Sequence, residues 1–224
     1  MMLSLFSSFI QDLLIFLKQE KGFFGQDPEK RKEAAEKFFG FSAVAEYLAK
    51  ATESDFVDDL KDALKLLREN PDLQSKHLAH VFAQYFLVQF PQGFDQLDAG
   101  FYKSSEAAQK TKLQELFPGN TLFFRQLRNA VGVNSIQETA EEIVAFLKEL
   151  YGSPRIIVQS PLECDRATKA DIRNHFQTSS PNSFVVFHVN QQLIGGIRFF
   201  VDGKVNDLSW FSKVQAIQHL SVKL

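Results

Sequence analysis

One cysteine, Cys164, stands among 224 residues. That excludes an internal disulfide and any metal site built from clustered cysteines, and it suits a reducing compartment. Charge of one sign is also missing: Lys and Arg number 25 and Asp and Glu 27, for a formal net charge of −2. Without a strong basic field the chain lacks the electrostatic footprint of a nucleic-acid binder or of a protein held to an acidic membrane surface. Long apolar runs are absent from the N-terminal segment, where the longest covers residues 13–17. A membrane-spanning helix needs about 20. The same segment, MMLSLFSSFIQDLLIFLKQ, has no basic residue before Lys18 and no small-residue cleavage pattern. It fits neither a secretory signal nor an Arg-rich transit peptide.

Phenylalanine is abundant instead, at 24 residues against a single tryptophan, so there are large apolar side chains to bury. The overall 45% hydrophobic and 23% charged composition is that of an ordinary globular protein, and the length allows one large domain or two small ones. Charge divides along the chain. From Pro154 onward eight Lys/Arg face five Asp/Glu, a net of +3, and before it 17 face 22, a net of −5.

Residues 4–150 read as six to eight short helices. In the first, Leu3, Phe6, Phe9, Ile10, Leu13, Phe16 and Leu17 recur at helical spacing, with Ser4, Ser7, Ser8, Gln11, Asp12 and Lys18 on the opposite face. A helix docked on its own protein is the expectation, although a surface-seeking or partner-binding helix carries the same pattern. Pro28 and Glu29 suit a helix start, and the charge run DPEKRKEAAEK reads as a solvated face. Ser54 is the expected N-cap of the helix that Asn70-Pro71 would stop; Pro91 is expected to end the next. Ser135 and Glu138 form a capping-box pattern ahead of a helix that runs to Gly152.

The period changes at Pro154. RIIVQS is a short β-rich run, LECDRATKADIRNHF is helical, SFVVFHV and IGGIRFFVD read as strands, and KVND pairs back through an Asp202-Gly203 turn. A last helix is expected from about residue 209. The fold class is therefore α+β: an all-α helical bundle followed by a small β-α-β-β-β-α module. The boundaries fall as a helical extension over residues 1–40, a bundle over 41–150 and the module over 154–224.

The pair Gly195-Gly196 raises the question of a phosphate-binding loop. Such a loop needs a strand, glycines, and then a helix whose N-terminal amides meet the phosphate. Here the glycines are followed by the strand-like IRFFVDG, so close packing is the expected role, and a side chain at 196 is expected to overpack a neighbour by about 1–3 kcal/mol. Asp207 and Ser209 read as an Asx-type turn and helix cap. His77 and His80, three apart on a helix, lack the further ligands that a zinc site needs. Cys164 has His175 and His188 later in the chain, but its neighbours Glu163 and Asp165 disfavour a nucleophilic thiolate. FFRQLR and FHVNQQ could stack on single-stranded nucleic acid, against which the net charge argues. No catalytic, cofactor or metal constellation emerges.

Read from Ile156, the C-terminal module resembles the C-terminal domain of the delta subunit of F-type ATP synthases, the oligomycin-sensitivity-conferring protein of mitochondria. Ser160 and Leu162 match the end of the family's first strand, Leu193, Ile194, Gly195, Gly196 and Ile197 its glycine core, and Asp207 and Ser209 its closing turn. Lys213 stands where the family usually has Arg, and Leu208 replaces its Gly. Upstream, AEYLAKA and LKLLRENPDL look like the family's first helices. The resemblance implies a non-catalytic peripheral-stalk subunit, monomeric within a larger complex and without a cofactor. Its bundle would grip the N-terminal helix of an alpha-type head subunit, and its C-terminal module would join the b-type stalk helices. It would lie peripherally on the cytoplasmic face of a bacterial inner membrane, or on the matrix side in a mitochondrion. A stalk subunit of V/A-type ATPases and a helical adaptor unrelated to ATP synthesis are the alternatives.

Overall fold

A computed structural model describes residues 1–69 and 77–210 of the chain. The chain forms two compact units, Met1–Leu150 and Tyr151–Leu224. The fold is α+β: the first unit is helical, and the second holds a small four-stranded sheet.

Ten α-helices make up the first unit among the described residues, more than the six to eight expected. They are α1 (Met2–Gln19), α2 (Pro28–Phe39), α3 (Ser42–Lys50), α4 (Glu53–Glu69), α5 (His77–Gln84), α6 (Phe90–Phe94), α7 (Ala99–Lys103), α8 (Glu106–Leu116), α9 (Leu122–Val133) and α10 (Ile136–Tyr151). The first 40 residues contribute α1 and α2 to this same unit. Leu5, Phe6, Phe9, Leu13, Phe16 and Phe39 are almost wholly buried, so this stretch is part of the bundle's core.

Phenylalanine rings hold that core together. Phe82 is fully buried, and its ring centroid lies 5.2 Å from Phe6, 5.6 Å from Phe9, 5.1 Å from Phe86, 5.8 Å from Phe123 and 5.7 Å from Phe146. Most of these pairs meet edge to face, the arrangement that the ring quadrupole favours. The rings come from α1, α5, α9 and α10 and from the turn after α5, so one side chain joins helices distant in sequence.

Several local expectations are revised. Asp12 belongs to the buried side of α1, not to its polar face: it is 2% exposed. Its carboxylate accepts the backbone N–H of Leu122 at 2.9 Å and of Phe123 at 2.7 Å. A helix start leaves its first amides unpaired and carries a partial positive charge, and this carboxylate answers both. Thr121 accepts from the next amide, that of Phe124. Arg31, within the run read as a solvated face, is buried because its guanidinium donates to the carbonyls of Ala51 at 2.8 Å and Ala49 at 2.6 Å, at the C-terminal end of α3. The cap of α4 is Thr52, not Ser54: Thr52 and Asp55 exchange backbone-to-side-chain hydrogen bonds as in a capping box. Ser135 and Glu138 make the same exchange ahead of α10. The stop at Asn70-Pro71 lies outside the described residues.

Pro91 does not end its helix. Between α5 and α6 the chain makes a π-helical turn, Tyr85–Gln89, in which the N–H of Phe90 reaches the carbonyl of Tyr85. The wider turn accommodates a residue that has no N–H and whose ring crowds the preceding turn. The helix then continues to Phe94. Phe82, Phe86, Phe90 and Phe94 form one ladder of rings, with successive centroids 5.1, 5.2 and 4.9 Å apart.

The second unit contains β1 (Ile156–Ser160), α11 (Arg166–Ser179), β2 (Val185–Val189), β3 (Arg198–Val201) and β4 (Lys204–Asp207). The strand order is β2-β1-β3-β4, with β1 and β2 parallel and the other neighbours antiparallel. The parallel pair requires a crossover, which α11 supplies; Asp165 caps it by accepting the N–H of Thr168 at 2.8 Å. Ile156, Val158, Val185 and Phe176 form the core, with Ile172, Phe187 and Phe199 packed against it. Asp202 and Gly203 both have positive φ, 47° and 80°, as the tight turn between β3 and β4 demands. The final helix expected from about residue 209 falls almost wholly outside the described residues.

Two substitutions test the bundle. Phe82→Ala should cost about 3–5 kcal/mol in urea denaturation, since the cavity opens where five rings meet. Asp12→Ala strands the buried amide of Phe123 and the half-buried one of Leu122 and should cost about 2–4 kcal/mol, whereas Asp12→Asn, whose side-chain carbonyl still accepts one of them, should lose less.

Candidate functional site

The residues singled out by sequence converge on one corner of the second unit. Gly195 and Gly196 lie in the bend that leads into β3, not within a strand as expected, because Gly196 has φ +77° and cannot join a ladder. The bend packs against the chain leaving β4. The N–H of Leu208 donates to the carbonyl of Ile197 at 3.0 Å, and that of Trp210 to Gly195 at 2.9 Å. A Cβ on Gly196 would lie 2.6 Å from the carbonyl oxygen of Leu208 and 3.0 Å from the Cα of Ser209; one on Gly195 would lie 3.0 Å from the Trp210 ring. The close approach inferred from the sequence is therefore made by backbone.

Asp207 fixes the other side of the contact. One carboxylate oxygen accepts the N–H of Ser209 at 2.9 Å, an Asx-type turn. The other accepts Arg198 Nε at 2.9 Å and Nη2 at 2.6 Å across the β3–β4 pair. The Ser209 hydroxyl, its backbone N–H and the Arg198 guanidinium hold the Asp207 carboxyl down at about 2. Ser209 is fully buried. Lys213, the remaining residue of this set, lies outside the described residues. Ile194, Leu208 and Trp210 expose their side chains around the same corner, at 71%, 60% and 63%.

This geometry has no phosphate cradle, since the glycines lead into a strand and their surroundings are filled by the chain after β4. Asp207 is committed to Arg198 and Ser209, and acts on the backbone. Elsewhere, Cys164 donates to Ser160 Oγ at 3.3 Å, and Ser160 Oγ to the carbonyl of Leu162 at 2.6 Å, in the loop after β1. His77 and His80 line a groove on the first unit. Among the described residues no three His, Cys, Asp or Glu side chains are grouped as a metal ion would need. None of the described helices is long and apolar enough to cross a membrane. Sequence reasoning passed over Arg198: the signal was an Arg and an Asp equidistant from the Asp202-Gly203 turn, and hence opposite each other in a hairpin.

Searches find no family model and no curated protein that matches the chain.

Two measurements test the corner. Gly196→Ala should destabilise the second unit by about 2–4 kcal/mol, because left-handed φ and a contact with backbone add to each other. Asp207 has a folded-state pKa below its ordinary value, so its contribution to stability is complete above about pH 4 and is lost as pH falls toward 2. Asp207→Asn should flatten the acid limb of the stability profile in that window, and the wild-type carboxyl should titrate near 2 by NMR.

Proposed function

We propose that the chain is a non-catalytic peripheral-stalk subunit akin to the delta subunit of F-type ATP synthases. The observation that carries this reading is the corner just described. Gly195, Gly196 and Ile197, which bear the resemblance to the family's glycine core, are in backbone contact with the turn at Asp207 and Ser209, which bears its second half. Two motifs at the two ends of the β3–β4 hairpin thus meet in one structural element. The order of a helical unit followed by a small sheet module is the architecture that the family implies.

In this reading the helical unit grips an N-terminal helix of an alpha-type head subunit, and the sheet module joins b-type stalk helices. The protein sits peripherally on the cytoplasmic face of a bacterial inner membrane, or on the matrix side in a mitochondrion. Its task is to resist torque, which calls for broad interfaces of many contacts. Exposed Ile194, Leu208 and Trp210 give the sheet module apolar surface for such an interface.

Affinity capture from gently solubilised membranes tests the proposal, with head and stalk subunits expected among the retained proteins. Capture of neither would remove it and leave a helical adaptor. Gly196→Val should abolish retention of stalk subunits while leaving head subunits bound, because the two units are separately compact. Limited proteolysis of that variant should leave a stable fragment ending near residue 150. Calorimetric titration with ATP should give no binding heat; micromolar affinity would count against a stalk role.

A further inference from the structure

We infer that the groove between α3, α4 and α5 seats a basic amphipathic helix of a partner protein, an assignment that rests on the stalk reading only for which partner supplies the helix. Three helix faces converge on it. Glu46, Tyr47 and Lys50 come from one side of α3, Asp55, Asp58 and Asp59 from one side of α4, and His77, His80 and Val81 from α5, at the three- and four-residue spacings that share a face. The cleft has a volume of about 780 Å³. Val81 and Tyr85, both buried, line it, and Val88 of the π-helical turn, 53% exposed, adds an apolar edge.

Charge selects the occupant. Four carboxylates stand here against the single ammonium of Lys50 among the described lining residues. Their partners within the chain are local. Tyr47 donates to Asp59 at 2.6 Å, Asp55 accepts from Thr52, and Asp58 pairs with Lys61, whose side chain is 64% exposed. Burial, the hydrogen bond to Asp59 and its charge push the Tyr47 phenol well above its ordinary range, so it stays a neutral donor to Asp59. A helix with lysines or arginines flanking an apolar stripe satisfies both features at once. Its stripe covers Val88, and its cations meet the carboxylates of α3 and α4. An acidic helix would set like charges against these carboxylates, and an uncharged one would cover them without adding a cation, both of which are less favourable.

The test uses the full chain and a synthetic helical peptide of about 20 residues, a length near 30 Å, with lysines flanking one leucine stripe. Its counterpart carries glutamate in place of lysine. The lysine peptide should bind saturably in fluorescence anisotropy, weaken several-fold as salt rises, and lose roughly tenfold or more in affinity on Glu46→Lys with Asp58→Lys, both at exposed positions. Val88→Asp should weaken it as well. Equal binding of the glutamate peptide, or binding unchanged by the charge reversal in a variant with wild-type circular dichroism and melting, overturns the inference. Capture of head subunits separates it from the stalk reading. If the wild type and the reversed variant retain them equally, the head helix is not the groove's occupant, the stalk reading stands, and the peptide titration decides the groove. If the wild type retains none, the stalk reading falls and the peptide titration alone decides the groove.

Discussion

The carboxylate of Asp12 ties the first helix of the bundle to the start of the ninth. It closes the N-terminal end of α9 across 110 residues of sequence, and a buried carboxylate left without donors is costly. Any packing of α1 that removed it from the amides of Leu122 and Phe123 would incur that cost. Once α1 is held at this point, its ring-bearing side is directed as well. Phe6 and Phe9 meet Phe82, Phe9 also meets Phe41, and Phe123, whose amide Asp12 accepts, joins the same ring cluster through its side chain. A directional polar contact therefore specifies the arrangement of a core whose apolar attractions have little direction of their own.

The second unit uses a carboxylate in a related way at shorter range. Asp207 holds Arg198 across the hairpin and the N–H of Ser209 along the chain, and this fixes the turn that presses on the glycine bend. In each unit an acidic side chain is spent on backbone geometry and not on chemistry.

Much of this was legible in sequence wherever the deciding interaction is local. The capping box at Ser135 and Glu138, the Asp202-Gly203 turn and the β-α-β-β-β order follow from residues within a few positions of each other. The roles of Asp12, Arg31 and Gly196 depend instead on partners outside their own helix or turn. Asp12 shares a helical face with Ser4 and Ser8, and its sequence gives no sign that the start of α9 lies opposite. Arg31 sits in a run of charges, and its role depends on carbonyls some 20 residues away. Gly196 was assigned to a strand by its apolar neighbours, yet its φ is set by the chain returning from β4. The contact was foreseen and the backbone conformation was not, because a missing side chain reports closeness without saying what comes close.

The ring ladder of Phe82, Phe86, Phe90 and Phe94 sets a period of four, and an α-helix does not keep that period. Each four-residue step overshoots a full rotation by about 40°, so three steps would carry the last ring about 120° around the helix axis. All four rings are nonetheless buried. The wide turn at Tyr85–Gln89 holds more residues per rotation and takes back the overshoot. It acts as a vernier between the spacing of the sequence and the pitch of the helix. Forcing the same residues into plain α-helical pitch there would leave every ring in place in the sequence and still turn Phe90 and Phe94 out of phase with Phe82.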